Sequence, residues 1–433
     1  MKNIAFLILF VLIVLAAIFI NPQIEIAHGT DYDHYLTEEH LQKNQKELNS
    51  RIGFWEEKLA AAPGNFVFQK KLAGLYASSF KLSGDISQLH RSDSLLQQVN
   101  MRLPGQVGVL QSLAANAITR HAFLESESYI REAFGIGQNK FASSLMLADV
   151  MLERGNLLEA ELLLKDITSR SHFDFLIREA KLHDQSDELD KAVRCMEKAA
   201  ELAKASGDAG VINWSLSNLA DMYGHQGKVK KAYETYLEAL RYDPADLHAL
   251  KGIAWIAFSK DKNTEEARRI LTFLQSIHPV PDYDLLLAEI AAYEQNAPKE
   301  QEYQDAFVRE ASRPVYGNMY KSYLCQLKSN EGEVAEALEI ATQEIRERPH
   351  PMSYQLLAWA TFRKGDKALA LDIMEKHVIG QTGEPNALFH AGVILKENGR
   401  RKAAEAQLNA ALGASFELGP VVAKEIETQL RQL

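Results

Sequence analysis

The sequence predicts an all-α protein in which antiparallel helix pairs stack into a solenoid, and three observations support this fold class. The chain has 433 residues, more than one compact core usually holds, so several domains or one extended array is expected. Apolar residues make up 46% and charged residues 24%, the composition of a folded protein. Finally, apolar residues at helical spacing recur along most of the chain, which indicates a repeat array.

Charge and cysteine content exclude several functional classes. Lys and Arg number 48 against 58 Asp and Glu, giving a formal net charge of −10. Nucleic acid is therefore not expected as a main ligand, because phosphate binding needs a cationic face. Two Cys are too few for a disulfide scaffold.

The N-terminus has the layout of an export signal. Residues 4–20 contain no polar side chain and follow the positive charge of Lys2. Ala27 and Gly29 place small side chains where a signal peptidase needs them, so residues 1–29 are either a signal peptide cleaved after Gly29 or a retained signal anchor. In both cases the positive-inside bias places the remainder outside the cytoplasmic membrane, as a periplasmic or otherwise extracytoplasmic protein.

The clearest repeated unit runs from Asn213 to Pro244. Its first half places four apolar residues on one helix face: Leu216, Leu219, Ala220 and Tyr223. Gly227 ends this helix, and a second helix follows with its own apolar face: Ala232, Tyr236, Ala239 and Leu240. Because Ala220 and Ala232 are small, the two helices are expected to approach closely in an antiparallel pair.

This skeleton closely resembles the tetratricopeptide repeat, a helix pair of about 34 residues. The resemblance implies a right-handed superhelix, with about ten units over residues 65–417. The unit after Pro244 carries one extra residue between its helices, and the stretches 281–316 and 318–350 are degenerate. Residues 30–64 are expected to form a polar linker and an N-terminal capping helix, with Ile52, Trp55 and Leu59 covering the first unit. Residues 418–433 should form a C-terminal capping helix.

No catalytic motif is present in the sequence. Phosphate-binding loops, zinc-protease, serine-hydrolase and EF-hand signatures are all missing, so neither an enzyme nor a cofactor is predicted. Cys195 and Cys325 lie about four units apart, too far for a disulfide, and are expected to be buried free thiols.

One segment has metal-ligand character. It combines imidazole and carboxylate side chains, which suit divalent transition metals: His28, Asp31, Asp33, His34, Glu38, Glu39 and His40. Two interpretations stay open, a solvated acidic linker and a weak metal site, and no ligands are assigned.

The concave side of the first helices is the expected partner-binding surface. In each unit it is the helix side opposite the core stripe, and in tetratricopeptide proteins this side holds peptides. The candidate groove residues are Trp214, Asp221, His225, Lys251, Trp255, Gln355, Trp359, Arg363 and Phe389. The alternative is that the tryptophans pack against neighbouring units. Packing is favoured for Trp214, whereas binding and packing are given equal weight for Trp255 and Trp359. The Lys and Asn set that clamps a peptide carboxylate in chaperone-binding members of the family is not visible.

The sequence thus favours a non-catalytic scaffold or assembly factor that binds a protein or peptide partner outside the cytoplasmic membrane. Contact with the membrane would come only through residues 4–20, and only if they are retained. Two alternatives from other classes are a metal-handling accessory protein that uses the His/Asp-rich segment and an enzyme whose site is dispersed over the groove.

Overall fold

The computed structural model describes residues 25–433, which form helices, turns and no strand within that range. After a short helix at Gly29–Tyr32 and a 3-10 turn at Asp33–Tyr35, a long helix α1 spans Glu38–Ala61. Twenty further helices follow in ten successive pairs, and a last helix, α22, spans Ser415–Arg431. The all-α solenoid predicted from the sequence is therefore confirmed.

Pairs 1 to 5 form the first half of the array. Their helices are α2 (Phe66–Ser83) with α3 (Ile86–Arg102), α4 (Val107–Thr119) with α5 (Phe123–Ile136), α6 (Lys140–Glu153) with α7 (Leu157–Lys165), α8 (Phe173–Gln185) with α9 (Leu189–Ser206), and α10 (Ala209–His225) with α11 (Val229–Tyr242).

Pairs 6 to 10 form the second half. Their helices are α12 (Leu247–Trp255) with α13 (Thr264–Ile277), α14 (Asp282–Tyr293) with α15 (Ala297–Ala311), α16 (Lys321–Glu331) with α17 (Val334–Glu347), α18 (Pro351–Arg363) with α19 (Lys367–His377), and α20 (Pro385–Glu397) with α21 (Arg401–Gly413). A 3-10 turn at Pro314–Tyr316 precedes pair 8.

The helices of a pair touch through small side chains. Ala220 of α10 and Ala232 of α11 are both almost fully buried, as the sequence predicts. In pair 8 the same contact is made by Cys325, whose thiol lies 3.3 Å from the carbonyl oxygen of Ala337. Small residues at these positions bring the backbones together, and the neighbouring large residues fill the remaining volume.

Helix ends follow from local chemistry. Asp208 and Asp246 cap α10 and α12 by accepting hydrogen bonds from amides of the first turn. Gly207 ends α9 with φ of 73°, a left-handed conformation that glycine adopts without steric cost.

Pair 6 departs from the regular repeat. Its first helix continues as a π-helical turn over Ile256–Lys260, in which the amide of Asp261 donates to the carbonyl of Ile256, five residues earlier. A π turn absorbs one additional residue, so this turn accounts for the extra residue noted in the sequence of this unit.

The solenoid curls until distant pairs touch. The guanidinium of Arg348, after α17, donates to the carbonyl of Glu153 in pair 3 at 2.9 Å, and Glu153 also pairs with Lys181 at 2.7 Å. Burial alone would raise the pKa of Glu153, but these two cations outweigh it and hold the pKa at about 2. Likewise, the amide of Gly383 donates to Asp187 at 2.7 Å. Segments about 200 residues apart thus hold the array closed.

The ends of the array are covered. Ile52, Trp55 and Leu59 of α1 pack on Leu72 and Tyr76 of pair 1. At the other end α22 bends at Gly419, which has φ of 78°, and then covers pair 10 with Ile426, which is fully buried.

Candidate functional site

Two cavities open on the concave side of pairs 5 to 8. The first holds about 560 Å³ and is lined by α10, α12, α14 and the start of α22. The second holds about 910 Å³ and extends towards pair 1. Both are lined by His248, Lys251, Asp282 and Tyr323, so these four residues form the common wall of the two cavities. We call the lining of the two cavities together the groove, and these four residues its common wall.

A hydrogen-bonded network fixes one side of the groove. Asp221 accepts a hydrogen bond from the hydroxyl of Tyr236 and pairs with His248 at 2.7 Å. Burial lowers the pKa of His248, but the carboxylate of Asp221 outweighs this effect and raises the pKa above its ordinary value. Gly252 lies directly over the Tyr236 ring, where any Cβ atom would overlap the ring. The network therefore requires glycine at position 252.

Lys251 and two half-exposed aromatic side chains face the open part of the groove. Lys251 donates no hydrogen bond and forms no ion pair with any residue in the range 25–433. Trp214 is 43% exposed and contacts Phe173 edge-on at 6.0 Å between ring centroids, while Tyr323 is 50% exposed. Exposed aromatic rings beside an unpaired cation are typical of a protein-binding surface.

The C-terminal segment, residues 414–419, occupies the neighbouring part of the groove. The carbonyl oxygen of Phe416 accepts hydrogen bonds from the Trp255 indole at 3.0 Å and from the hydroxyl of Ser259 at 2.6 Å. Glu417 pairs with His225 at 2.7 Å. This carboxylate raises the pKa of His225 to about 9, although burial opposes the shift. Trp255 and His225 therefore bind a segment of their own chain.

The remaining candidate residues lie in pairs 9 and 10 and pack against each other. Trp359 is only 5% exposed and stacks on His390 with 3.9 Å between ring centroids. Gln355 donates to the same imidazole, and Phe389 packs beside it. Arg363 donates to the carbonyls of Ser329 and Asn330 in pair 8. These contacts favour the packing interpretation for this half of the predicted stripe.

Sequence reasoning misses Tyr323, Asp282 and Phe416. Tyr323 and Asp282 belong to the two degenerate units, whose repeat pattern is too weak to show which side faces inward. Phe416 lies in a segment outside the repeats, and nothing local in the sequence predicts that it reaches pair 6.

The N-terminal strap, residues 25–36, packs on the opposite side of the solenoid. Asp261 and Tyr233 of pairs 5 and 6 bind its backbone, and Glu266 accepts a hydrogen bond from the hydroxyl of Tyr32. The polar side chains of His28, Asp31 and His34 are exposed, as expected for a solvated segment. The segment is nevertheless attached to the solenoid and is not a free linker, because Tyr32 is fully buried and Ala27 is 4% exposed. Within residues 25–433, no group of three or more His, Cys, Asp or Glu side chains is placed to hold a metal ion.

Both cysteines are free thiols. Cys325 is fully buried as expected, and burial raises its pKa to about 12. Cys195 is only half-buried; burial and the nearby Glu179 raise its pKa to about 11. High thiol pKa values make both residues poor nucleophiles near neutral pH.

No helix in the described range 25–433 combines the length and the apolar character needed to cross a bilayer. The apolar stretch at residues 4–20 lies outside the described residues, so its predicted role as signal or anchor stays a prediction.

The stacked pairs and the concave groove define the protein as a helical-repeat solenoid. A family model described as tetratricopeptide repeat matches residues 215–246, which span α10 and α11. The match confirms, for the unit formed by α10 and α11, the resemblance to the tetratricopeptide repeat that the sequence predicts.

No relative was found among curated proteins. Yeast Tom70 is 12% identical, with 93% of this chain and 97% of that chain covered and a TM-score of 0.36. A tetratricopeptide repeat protein from Parabacteroides merdae is 20% identical, with 61% and 98% covered and a TM-score of 0.34. A monomeric mutant of IFIT1 is 13% identical, with 85% and 76% covered and a TM-score of 0.46. Such identities do not transfer a function.

Proposed function

We propose that the protein is a non-catalytic scaffold that binds a peptide segment of a partner protein in the groove, on the extracytoplasmic side of a membrane. The observation that carries this proposal is the common wall of the two cavities. Lys251 of this wall is unpaired within residues 25–433, and it lines the second cavity together with the exposed rings of Trp214 and Tyr323. Solenoid proteins use such inward surfaces to hold extended or helical segments.

The side chains that line the second cavity suggest the chemistry of the partner segment. Trp214 and Tyr323 offer apolar area for an aromatic or aliphatic side chain, and Lys251 offers a cation for a carboxylate. The chain's own Phe416 and Glu417 line the first cavity, where Glu417 pairs with His225, and this internal example supports the proposal. The extracytoplasmic location is supported by the apolar stretch at residues 4–20 and by the charge difference across it.

The proposal is tested by photo-crosslinking in cells. A photoreactive amino acid is placed at Tyr323, and in a matched control at Lys230, an exposed position on the outer helix of pair 5. We expect a crosslinked partner from position 323 and not from position 230. Lys251→Ala, combined with the label at 323, should reduce the yield several-fold, while circular dichroism shows an unchanged helix content. Equal crosslinking from both labelled positions would contradict binding in the groove.

A further inference from the structure

The backbone of the N-terminal strap is bound to the outer face of the solenoid at residues 26–28. The carboxylate of Asp261 accepts hydrogen bonds from the amides of Ile26 at 2.9 Å and Ala27 at 2.8 Å. The hydroxyl of Tyr233 lies 3.0 Å from the amide nitrogen of His28, which donates to it. Two successive amides aimed at one carboxylate form a charge-assisted contact that needs these backbone positions in place.

The side chains of the strap add to this attachment. Ala27 and Tyr32 are buried within an apolar cluster that spans pairs 4 to 7. The Tyr32 hydroxyl donates to Glu266, and Asp33 pairs with Arg269 at 2.5 Å. Both partners lie in α13, the outer helix of pair 6. Residues on either side of Gly29 are thus part of one continuous contact.

The acceptor for the first two amides depends on the irregular turn of pair 6. Asp261 directly follows the π turn at Ile256–Lys260, which absorbs the extra residue of this unit. The π turn therefore determines the position of Asp261, the residue that binds the backbone of the strap.

From these contacts we infer that the folded protein retains residues 26–29, so the chain is not cleaved after Gly29 and the apolar stretch at residues 4–20 stays attached as a membrane anchor. The inference rests on the membrane location proposed above. It also assigns a surface: the outer face of pairs 5 and 6 is the side of the solenoid that lies against the lipid bilayer.

Chain length supports this orientation. Five peptide units join Ile20, the last residue of the apolar stretch, to Glu25 at the start of the strap. Fully extended, they span at most about 18 Å. The surface around Asp261 and Arg269 must then lie within that distance of the point where the chain leaves the membrane. The groove lies on the opposite, inner side of the same pairs and stays open to a partner.

The first test is the N-terminus of the full chain, expressed in a cell with its own export machinery. Intact-mass measurement of the purified protein should show a chain that still contains residues 4–29 and that fractionates with membranes. A chain that begins at Thr30, or at any other position after residue 20, would overturn the inference, and it would leave the groove proposal standing because crosslinking at Tyr323 does not depend on the anchor. An uncleaved chain found wholly in the soluble fraction would overturn both the anchor and the proposed location.

The second test measures distance to the bilayer. After Cys195→Ser, a fluorophore is attached at Glu265→Cys on the outer helix of pair 6. The matched control is Lys402→Cys, which occupies the equivalent exposed position in pair 10, two residues before a buried alanine. In nanodiscs of neutral phospholipid that contain a nitroxide-labelled lipid, quenching at position 265 should exceed quenching at position 402 several-fold. Equal quenching would overturn the assigned orientation.

The strap itself is tested by hydrogen exchange in the full chain. The peptide that covers residues 25–36 should exchange slowly, and Asp261→Ala should remove much of this protection. Glu265→Ala, a neighbouring carboxylate without a contact to the strap, serves as the control. A strap that exchanges at the rate of an unfolded segment in the unsubstituted protein would contradict the inference.

Discussion

Pairs 6 and 9 place a tryptophan at the same inward position of their first helices, and the two side chains serve different purposes. Trp255 uses its indole NH to bind the carbonyl of Phe416, in a segment that arrives from the end of the chain. Trp359 stacks on His390 of the next pair and donates to Asn330 of the previous one. The same sequence position therefore leads to a docking contact in one pair and to core packing in the other, depending on what the rest of the chain places opposite.

The largest effect is expected from removing the packed tryptophan. Trp359→Ala deletes a side chain that is 5% exposed, and such truncations cost about 3–5 kcal/mol. Trp214→Ala, at an exposed inward position, should cost less than about 1 kcal/mol. Urea unfolding followed by circular dichroism measures both. Similar losses for the two variants would show that Trp359 is not a core residue.

A substitution at Gly419 tests the docking contact in pair 6. Gly419 has φ of 78°, and an added Cβ would overlap the carboxylate of Glu289 and lie 2.9 Å from the Trp255 ring. Gly419→Ala should therefore cost about 1–3 kcal/mol and release the C-terminal segment. Hydrogen exchange of residues 414–419 reports the release. Gly413→Ala is the control, since its Cβ would meet nothing within 4 Å.

A smaller change removes only the indole donor. Trp255→Phe keeps an aromatic ring but loses the hydrogen bond to Phe416, which typically contributes about 0.5–1.5 kcal/mol. We expect faster exchange in residues 414–419 and unchanged exchange in α20. Trp214→Phe should alter neither region, because its indole donates to no residue in the range 25–433. Unchanged exchange in both regions of Trp255→Phe would contradict the docking contact.

The two regions should also respond to pH in opposite directions. Glu417 raises the pKa of His225 to about 9. The contribution of His225 to the stability of the fold is therefore complete below the ordinary histidine pKa and is lost as the pH rises towards 9. His390 is buried, which lowers its pKa to about 3, with Arg363 adding to the effect. The contribution of the neutral His390 to the stability of the fold is present above the ordinary histidine pKa and is lost as the pH falls below that value.

Hydrogen exchange at several pH values, corrected for the intrinsic rate, separates these effects. Residues 414–419 should loosen first on the alkaline side, and residues 385–397 on the acid side. The alkaline effect is modest because the His225 side chain is 44% exposed and its ion pair is screened by solvent. His225→Gln should remove the alkaline effect alone. Parallel pH dependence of the two regions would contradict the assignment.

The sequence predicts the fold through contacts that are close along the chain. Ala220 and Ala232 are twelve residues apart, and their spacing is sufficient to predict a helix pair. The contact of Arg348 with Glu153 is different, because it depends on a small rotation at each of several successive pairs. No local sequence pattern encodes the total rotation over several pairs. The closure of the array and the covering of Trp255 could therefore not be predicted.

The candidate site was predictable only in part for the same reason. The helical period shows that Trp214, Lys251 and Trp255 face inward. It does not show that Phe416 covers Trp255, or that His390 supplies a stacking partner to Trp359. The strap was missed because its acidic composition resembles a linker, while the residues that bind it lie more than 200 positions later.

The π turn of pair 6 also bears on cooperativity. Ser259, its fourth residue, holds the C-terminal segment, and Asp261, which directly follows it, holds the strap. In an open row of repeats each unit is stabilised only by its neighbours, so the ends fray independently. Here both ends of the described chain are fastened to the middle, and unravelling either one breaks contacts in pair 6. The loss of either terminal segment therefore weakens pair 6, although this pair lies in the middle of the array.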